Sequence, residues 1–417
     1  MKVLWFTNTP ANADEFYNIK LAGTGGWLKS LNKVLQEEVD LHIAYYYKSS
    51  ELSSFVYEKT HYHPIKKNRN FKIALKKAFN IVMDSDDLEL YLKIIRLVNP
   101  DIIHIHGTEN AFGCIIGKTD IPTVVSIQGN ATVYNRKYYS GIDSKYMNVR
   151  KFSLIPRNFL HSFRRDKMKF KQMAIREQKH MEKCEYIIGR TDWDRRISRI
   201  LSPRSKYYHN DEILRGLFYS NTWQYLNNTK VILHTTTGGS YYKGFETICE
   251  VASLLNKLGF IFEWRIAGLN ENDMIVKVVK SMLKENYPTK GIVFLDKVDE
   301  NQLIKYMLEA NIYIMTSHIE NSPNNLCEAM ILGMPCIATY VGGTSSLMKN
   351  GIEGILIQDG DPWVLAGTII ELSESRDFQH EFSVNARERA LRRHNPLKIS
   401  QELLKIYETI IKQRNVF

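Results

Sequence analysis

The chain has 417 residues, 44% of them hydrophobic, with a formal net charge of +11 and a pI near 9.1. That length suits two ordinary cores rather than one, and no apolar stretch reaches the length of a transmembrane helix or, at the N-terminal MKVLWFTNTP, of a secretory leader. Its five cysteines, Cys114, Cys184, Cys249, Cys327 and Cys336, are odd in number and lack paired spacing, which speaks against a disulfide framework or a zinc ribbon and for reduced core thiols in a cytoplasmic protein.

Along the chain, short β-branched runs alternate with helical segments. The predicted strands are KVLWF from Lys2, DLHIAYY from Asp40, DIIHIHG from Asp101, TVVSIQG from Thr123 and YIIGRT from Tyr186. Between them, GTGGWLKSL with Gly23, Gly25 and Gly26 opens a helix, but a long loop precedes it and Leu28 fills the third glycine position of a dinucleotide fingerprint. DSDD at Asp84 to Asp87 has an Asp-x-Asp spacing but reads as an acidic loop or helix start. Arg150 to Lys183 is basic and amphipathic, rich in Arg and Lys with interleaved Phe and Leu, and is either a solvated helical face or a surface for anionic lipid or acceptor.

After Pro203 the pattern weakens, and it restarts with VILHTTT from Val231, FEWRIAG from Phe262, GIVFLDK from Gly291, NIYIMTS from Asn311, PCIATYVGG from Pro335 and GILIQDG from Gly354. Strands separated by helices imply parallel sheets. The expected organisation is a domain over 1–205, completed by a C-terminal helix over 397–417, and a second over 226–396. Ligands in such sheets bind beyond the carboxyl ends of the strands, where many of these runs end in Gly, Ser, Thr or His.

The densest signal is IENSPNNLCEAMILGMPCIATYVGG from Ile319. Glu320 and Glu328 lie on either side of a turn, Ser322-Pro323-Asn324-Asn325, and Glu328 is expected on the first turn of a helix that starts near Asn325 and stops at Gly333. The free N–H groups of such a helix start attract phosphate. Upstream, Lys243-Gly244 in TTTGGSYYKGFE opens another helix after a strand, and its ammonium can neutralise a departing diphosphate.

These motifs resemble the retaining glycosyltransferases of family 4. Their Glu-x7-Glu, Ala-Met, Gly-x-Pro and terminal Gly-Gly are matched in order by Glu320, Glu328, Ala329, Met330, Gly333, Pro335, Gly342 and Gly343. The resemblance implies an α/β chain of the GT-B fold, two facing Rossmann-like domains with the donor held mainly by the second. It implies catalytic roles for Glu320 at the donor sugar and Lys243 at the diphosphate. Donor binding would fall to Gly25, Gly26, Gly239, Lys243, Gly268, Val298, Asn324, Asn325, Leu326 and Glu328, the last at the ribose. His106, Gln128 and Arg190 are expected to position sugar or acceptor. Gln128 stands where relatives have a histidine, and Gly238, Gly239 and Ser240 stand where an Arg is usual, leaving Arg190, Arg195 or Arg215 to supply the missing charge.

The implied reaction moves a sugar from a nucleoside-diphosphate donor, a UDP-sugar, to a glycan or lipid-linked acceptor. It needs no cofactor and no metal, involves no nucleic acid, and takes place in the cytoplasm at the inner face of an anionic membrane. SIQGN, GRTDWDRR and HNDEILRGLFY further resemble enzymes of bacterial surface polysaccharide synthesis. A sugar-nucleotide epimerase of the same fold and a noncatalytic nucleotide-sugar-binding subunit are the alternatives. His104 and His106 invite a metal reading, but they lack a third ligand, so one is expected in the core and one at the cleft.

Overall fold

The structure is a computed structural model that describes residues 1–17, 25–47, 53–66, 87–143, 145 and 163–414. Gly23, Asp84 to Asp86 and the first part of the basic segment, residues 150–162, lie outside the described residues. The chain divides into two compact units, Met1–Asn135 with Arg164–Ile213 and His394–Phe417, and Arg136–Phe163 with Leu214–Arg393.

Among the described residues the first unit has eight strands: β1 (Lys2–Thr7), β2 (Asp40–Tyr47), β3 (Phe55–Tyr57), β4 (Thr60–Lys66), β5 (Ile102–His106), β6 (Thr123–Ser126), β7 (Tyr186–Gly189) and β8 (Lys206–His209). They lie in the order β3-β4-β2-β1-β5-β6-β7-β8, all parallel except β3. Strands such as VLWF and IIHIH are buried along their length, as expected for a parallel sheet covered on both faces. Val3 and Trp5 enter one core and Leu4 and Phe6 the other, the alternation the pleat demands.

The final helix, Pro396–Arg414, places Ile399, Leu403, Ile406, Tyr407 and Ile410 in the first of these cores. Their spacing of three and four keeps one helical stripe on the sheet. The Tyr407 hydroxyl accepts a hydrogen bond from Trp5 Nε1 at 3.1 Å and lies 2.6 Å from His104 Nδ1.

The second unit has a six-stranded parallel sheet: β9 (Val231–Thr236), β10 (Phe262–Ala267), β11 (Ile292–Asp296), β12 (Ile312–Met315), β13 (Cys336–Thr339) and β14 (Ile355–Ile357), in the order β11-β10-β9-β12-β13-β14. Each sheet reverses its winding once, between β1 and β5 and between β9 and β12. The loops leaving the carboxyl ends of such a pair diverge to opposite faces and open a ligand crevice.

The first unit extends past Ser205, its expected limit, to Ile213 because β8 pairs with β7 through Lys206 to His209. Its KYYH strand is a half-buried sheet edge without β-branched residues. Arg136 to Asp143, expected in the first unit, goes with the second: Tyr138 and Tyr139 pack on Tyr241, and Ile142 enters that unit's core. The first unit resumes at His394, whose Nδ1 lies 2.7 Å from the Glu212 carbonyl.

Tyr407→Phe removes a hydroxyl shared by Trp5 and His104. We expect a loss of about 1–3 kcal/mol in denaturant unfolding of the first unit; an unchanged midpoint would show that the hydroxyl is not their buried partner.

Candidate active site

In the second unit, β9 runs out through Thr236 and Thr237 into Gly238, Gly239 and Ser240, and a single 3-10 turn, Tyr241–Lys243, leads to Gly244 and the helix Phe245–Lys257. Gly244 has φ +71°, and a Cβ there would stand 2.0 Å from the Thr316 carbonyl oxygen. The loop can therefore approach the exit of β12 only with glycine at this point. Thr316 Oγ1 donates to the carbonyls of Lys243 and Gly244 at 3.1 and 3.0 Å, and the His318 N–H donates to the Tyr242 carbonyl at 2.7 Å.

Stitched together in this way, the two strand exits bring Lys243 Nζ to 2.5 Å from Glu320 Oε1, which also accepts from Ser317 Oγ at 2.8 Å. Burial alone would push the lysine pKa down, but the Glu320 carboxylate outweighs it and holds Lys243 above its ordinary value, so the ammonium persists at neutral pH. The Glu320 backbone is fixed by the Gly-Gly turn: the Gly343 N–H donates to its carbonyl at 3.0 Å, and a Cβ on Gly342, at φ +52°, would lie 1.8 Å from that oxygen.

The helix after Glu320 spans Asn324–Leu332, one residue earlier than expected, with Pro323 at the cap and Gly333 at φ +79° ending it. Asn325 is not the cap. Its Nδ2 donates to the Thr236 carbonyl at 2.5 Å, tying the helix start to β9. The Leu326 N–H, expected to face phosphate, is bonded to the Pro323 carbonyl at 3.1 Å, leaving Asn324 and Asn325 as the first-turn amides without a helical acceptor. Asn324 Oδ1 and Thr237 Oγ1 are buried here with no hydrogen-bond partner.

Glu328 falls on the fifth residue of this helix rather than its first turn and receives a two-pronged ion pair from Arg215, with Nε to Oε1 and Nη2 to Oε2 both 2.7 Å. Burial, opposed by Arg215, pushes the Glu328 carboxyl up, while Glu328 overcomes the effect of burial on Arg215 and raises it. Of the three arginines considered for the missing charge, only Arg215 belongs to this unit. Arg195 is half-exposed and bonded to Asp192.

Other expected donor residues surround this crevice unevenly. Gly268, at φ +97°, abuts the Thr237 carbonyl, where a Cβ would lie 2.0 Å away. Val298 follows β11 and packs half-buried on the core, and Gly239 is exposed with open space around it.

In the first unit, Gly25 at φ +82° caps the helix that begins at Gly26, and a Cβ on it would meet Thr9 Oγ1 at 2.6 Å. A cavity of about 30 Å³ is lined by Trp27, His106, Gln128, Arg190, Asn210 and Glu212, among others. His106 packs edge-on to Trp5, neither ring nitrogen has a partner, and burial holds it far below its ordinary pKa, hence neutral. His104, also bordering the cavity, is engaged by Tyr407 and by Ser126 Oγ at 2.6 Å. Arg190 is anchored on the Ile127 and Gln128 carbonyls and on Glu212 Oε1 at 2.5 Å.

Sequence reasoning passed over His318, which lies buried 2.6 Å from Glu246 Oε1 and 3.2 Å from Asp359 Oδ2. The polar run Thr316-Ser317-His318 after an apolar strand was the available signal.

Residues 224–389 match the family described as Glycosyl transferases group 1. That match lies within the second unit and takes in Lys243, Glu320 and Glu328. Among curated proteins, the capsular polysaccharide biosynthesis glycosyltransferase CapM of Staphylococcus aureus is 27% identical over 171 residues, 41% of this chain and 44% of CapM. N-acetyl-alpha-D-glucosaminyl L-malate synthase of Bacillus anthracis is 27% identical over 138 residues, 33% of this chain and 35% of that enzyme. The matched part thus spans less than half the length of these relatives. Solved structures cover the whole chain. Sucrose-phosphate synthase from Thermosynechococcus elongatus has a TM-score of 0.71 at 12% identity over 99% of both chains, and Anabaena HepE in complex with UDP-glucose has 0.63 at 14% over 98% of this chain and 100% of HepE. This likeness gives the fold, GT-B, with two Rossmann-like units and the last helix returned to the first.

Burial alone would lower the His318 pKa, but Glu246 and Asp359 raise it above its ordinary value. A raised histidine contributes stability that is complete below about pH 6.5 and is lost as pH rises through the folded-state value. Thermal melts of wild type and His318→Gln should therefore differ most below about pH 6.5 and converge on the alkaline side. A gap independent of pH would show that the folded imidazole carries no charge.

Proposed function

We propose that the chain is a retaining glycosyltransferase that transfers a sugar from a nucleoside-diphosphate donor, a UDP-sugar, to a hydroxyl of a lipid-linked glycan in bacterial surface polysaccharide synthesis. The observation that carries this reading is the pairing of Lys243 with Glu320 at the winding reversal of the second unit, beside a helix start with free amides. Positive charge and backbone N–H groups aimed at one place are what a departing diphosphate requires. Its resemblance to CapM supports the pathway, and the UDP-glucose complex of HepE supports the donor class.

On this reading Glu320 both orients Lys243 and meets the sugar, since its two protein bonds fall on Oε1 and leave Oε2 for a sugar hydroxyl. A carboxylate so paired is a poor nucleophile. Retention then follows a front-face path: the bond from the anomeric carbon to the phosphate oxygen breaks, the acceptor oxygen bonds to that carbon on the same face, and the leaving phosphate takes the acceptor proton. Glu328, steadied by Arg215, holds the ribose hydroxyls. The first-unit cavity at His106, Gln128 and Arg190 serves acceptor recognition. Exposed Lys167, Lys169, Lys171 and Lys179, on a helix too polar to cross a membrane, favour contact with an anionic lipid face.

Steady-state kinetics on three variants test the assignment. Lys243→Ala should lower turnover by roughly a hundredfold, because charge on the leaving group grows as the bond breaks. Glu328→Ala should chiefly raise the donor KM, since a ribose contact is alike in ground and transition states. Glu320→Ala should impair transfer while free UDP still binds. Full activity in both Lys243→Ala and Glu320→Ala would overturn the site, and a wild type that binds donor without transferring would favour a noncatalytic subunit.

With Lys243 and helix amides in the place of a metal, turnover should survive EDTA. Loss restored by magnesium or manganese would refute neutralisation of the diphosphate by protein groups.

A further inference from the structure

The first unit carries a second cluster of titratable side chains at the amino-terminal end of its strands, opposite the carboxyl ends that form its crevice. Asp40 opens β2, His42 follows two residues on, and His61 of β4 is the cross-strand partner of His42. Residues two apart on a strand, or directly opposite across a pair, share a face. Nε2 of His42 lies 3.2 Å from Asp40 Oδ1, and Nε2 of His61 lies 3.7 Å from the same oxygen. The two rings are stacked, with centroids 4.5 Å apart and planes 13° from parallel.

Behind them, His42 Nδ1 is 2.9 Å from His63 Nε2, and His63 Nδ1 is 3.0 Å from Ser54 Oγ. With a proton on each Nδ1 the chain runs one way, His42 donating to His63 and His63 to Ser54. That leaves the His42 Nε2 lone pair turned toward Asp40. This nitrogen is buried, on a residue only 8% exposed, and faces the Asp40 carboxylate. A ligating histidine commonly gives its other N–H to a supporting group, the place His63 fills.

We propose that Asp40, His42 and His61 bind a zinc ion that joins β2 to β4 at the amino-terminal end of the first unit's sheet. Zinc bonds of about 2.0–2.2 Å at tetrahedral angles set ligand atoms about 3.4 Å apart, and the two observed separations bracket that value. Two imidazoles with one carboxylate suit zinc, whereas magnesium and calcium favour oxygen donors. Asp40 and His61 are each nearly half-exposed, which gives the ion an entry path and water a fourth position. Lys2 opposes a cation here, but its ammonium is drawn 3.2 Å onto the Val98 carbonyl. An ion at this place braces the sheet and stands apart from the transfer chemistry.

Full-length protein, stripped with EDTA and desalted, is titrated calorimetrically with zinc chloride and, in parallel, with magnesium chloride. Wild type should bind one more equivalent of zinc than His61→Ala or Asp40→Asn, or bind it about tenfold or more tightly. Zinc should raise the melting temperature of the wild type, as a ligand of the folded state does, and leave that of both variants unmoved; magnesium should do neither. These two positions are partly exposed, so the metal-free variants should melt close to the metal-free wild type, which separates loss of zinc from loss of fold. Failure of the wild type to take up zinc, or a His61→Ala protein with wild-type stoichiometry, affinity and thermal response, would overturn the site.

Discussion

The approach of Gly244 to the Thr316 carbonyl governs the second unit's crevice. No side chain fits between the loop after β9 and the exit of β12, so the loop seats directly on the strand end and Thr316 can bridge both carbonyls beside it. Lys243 is thereby held within reach of Glu320, and the Gly342-Gly343 turn fixes Glu320 from the other side. Two glycine contacts, each forbidding a Cβ, thus set the position of one ion pair. The parallel sheet supplies the frame, because its winding reverses between these two strands and the loops part there.

Much of this was legible in the sequence because parallel strands buried on both faces read as apolar runs. VILHTTT, NIYIMTS and PCIATYVGG declare both the strands and the small polar residues at their ends. The expected helix stop at Gly333 agrees with its left-handed backbone, since that conformation calls for glycine. The start was misplaced by one residue because Asn is a common cap, whereas here Asn325 serves β9 and Pro323 takes the cap. Such a choice is made by tertiary contact and leaves no mark in local propensity.

What remained hidden was hidden for similar reasons. β4 carries Pro64 within THYHPIK and β8 is KYYH, neither with the β-branched pattern of a central strand. Arg215 follows a stretch with weak periodicity and meets Glu328 113 positions later, a separation no local pattern reveals. The usual arginine before Lys243 is absent from the sequence, and the structure gives this unit a different guanidinium, attached to the second glutamate of the motif. The His42, His61 and His63 arrangement likewise depends on the register between β2 and β4, which follows from pairing and not from either segment alone.

The electrostatics of the second unit add a constraint on any anionic ligand. Lys243 and Arg215 are each paired with a carboxylate, Glu320 and Glu328. An unpaired cation at such depth would be costly to desolvate, and an internal partner lets the empty crevice keep its charges in place. On the proposed function, a diphosphate entering there meets a lysine already oriented but already neutralised, so net attraction at long range is modest. Its binding must draw on directed contacts: the amides of Asn324 and Asn325, the helix dipole behind them, and the remaining N–H directions of Lys243. Those contacts are worth most when negative charge is concentrated on the phosphate oxygens, as it is when the bond to the sugar breaks. On the proposed function, a crevice balanced in this way favours the departing diphosphate over the intact donor, the bias that glycosyl transfer requires.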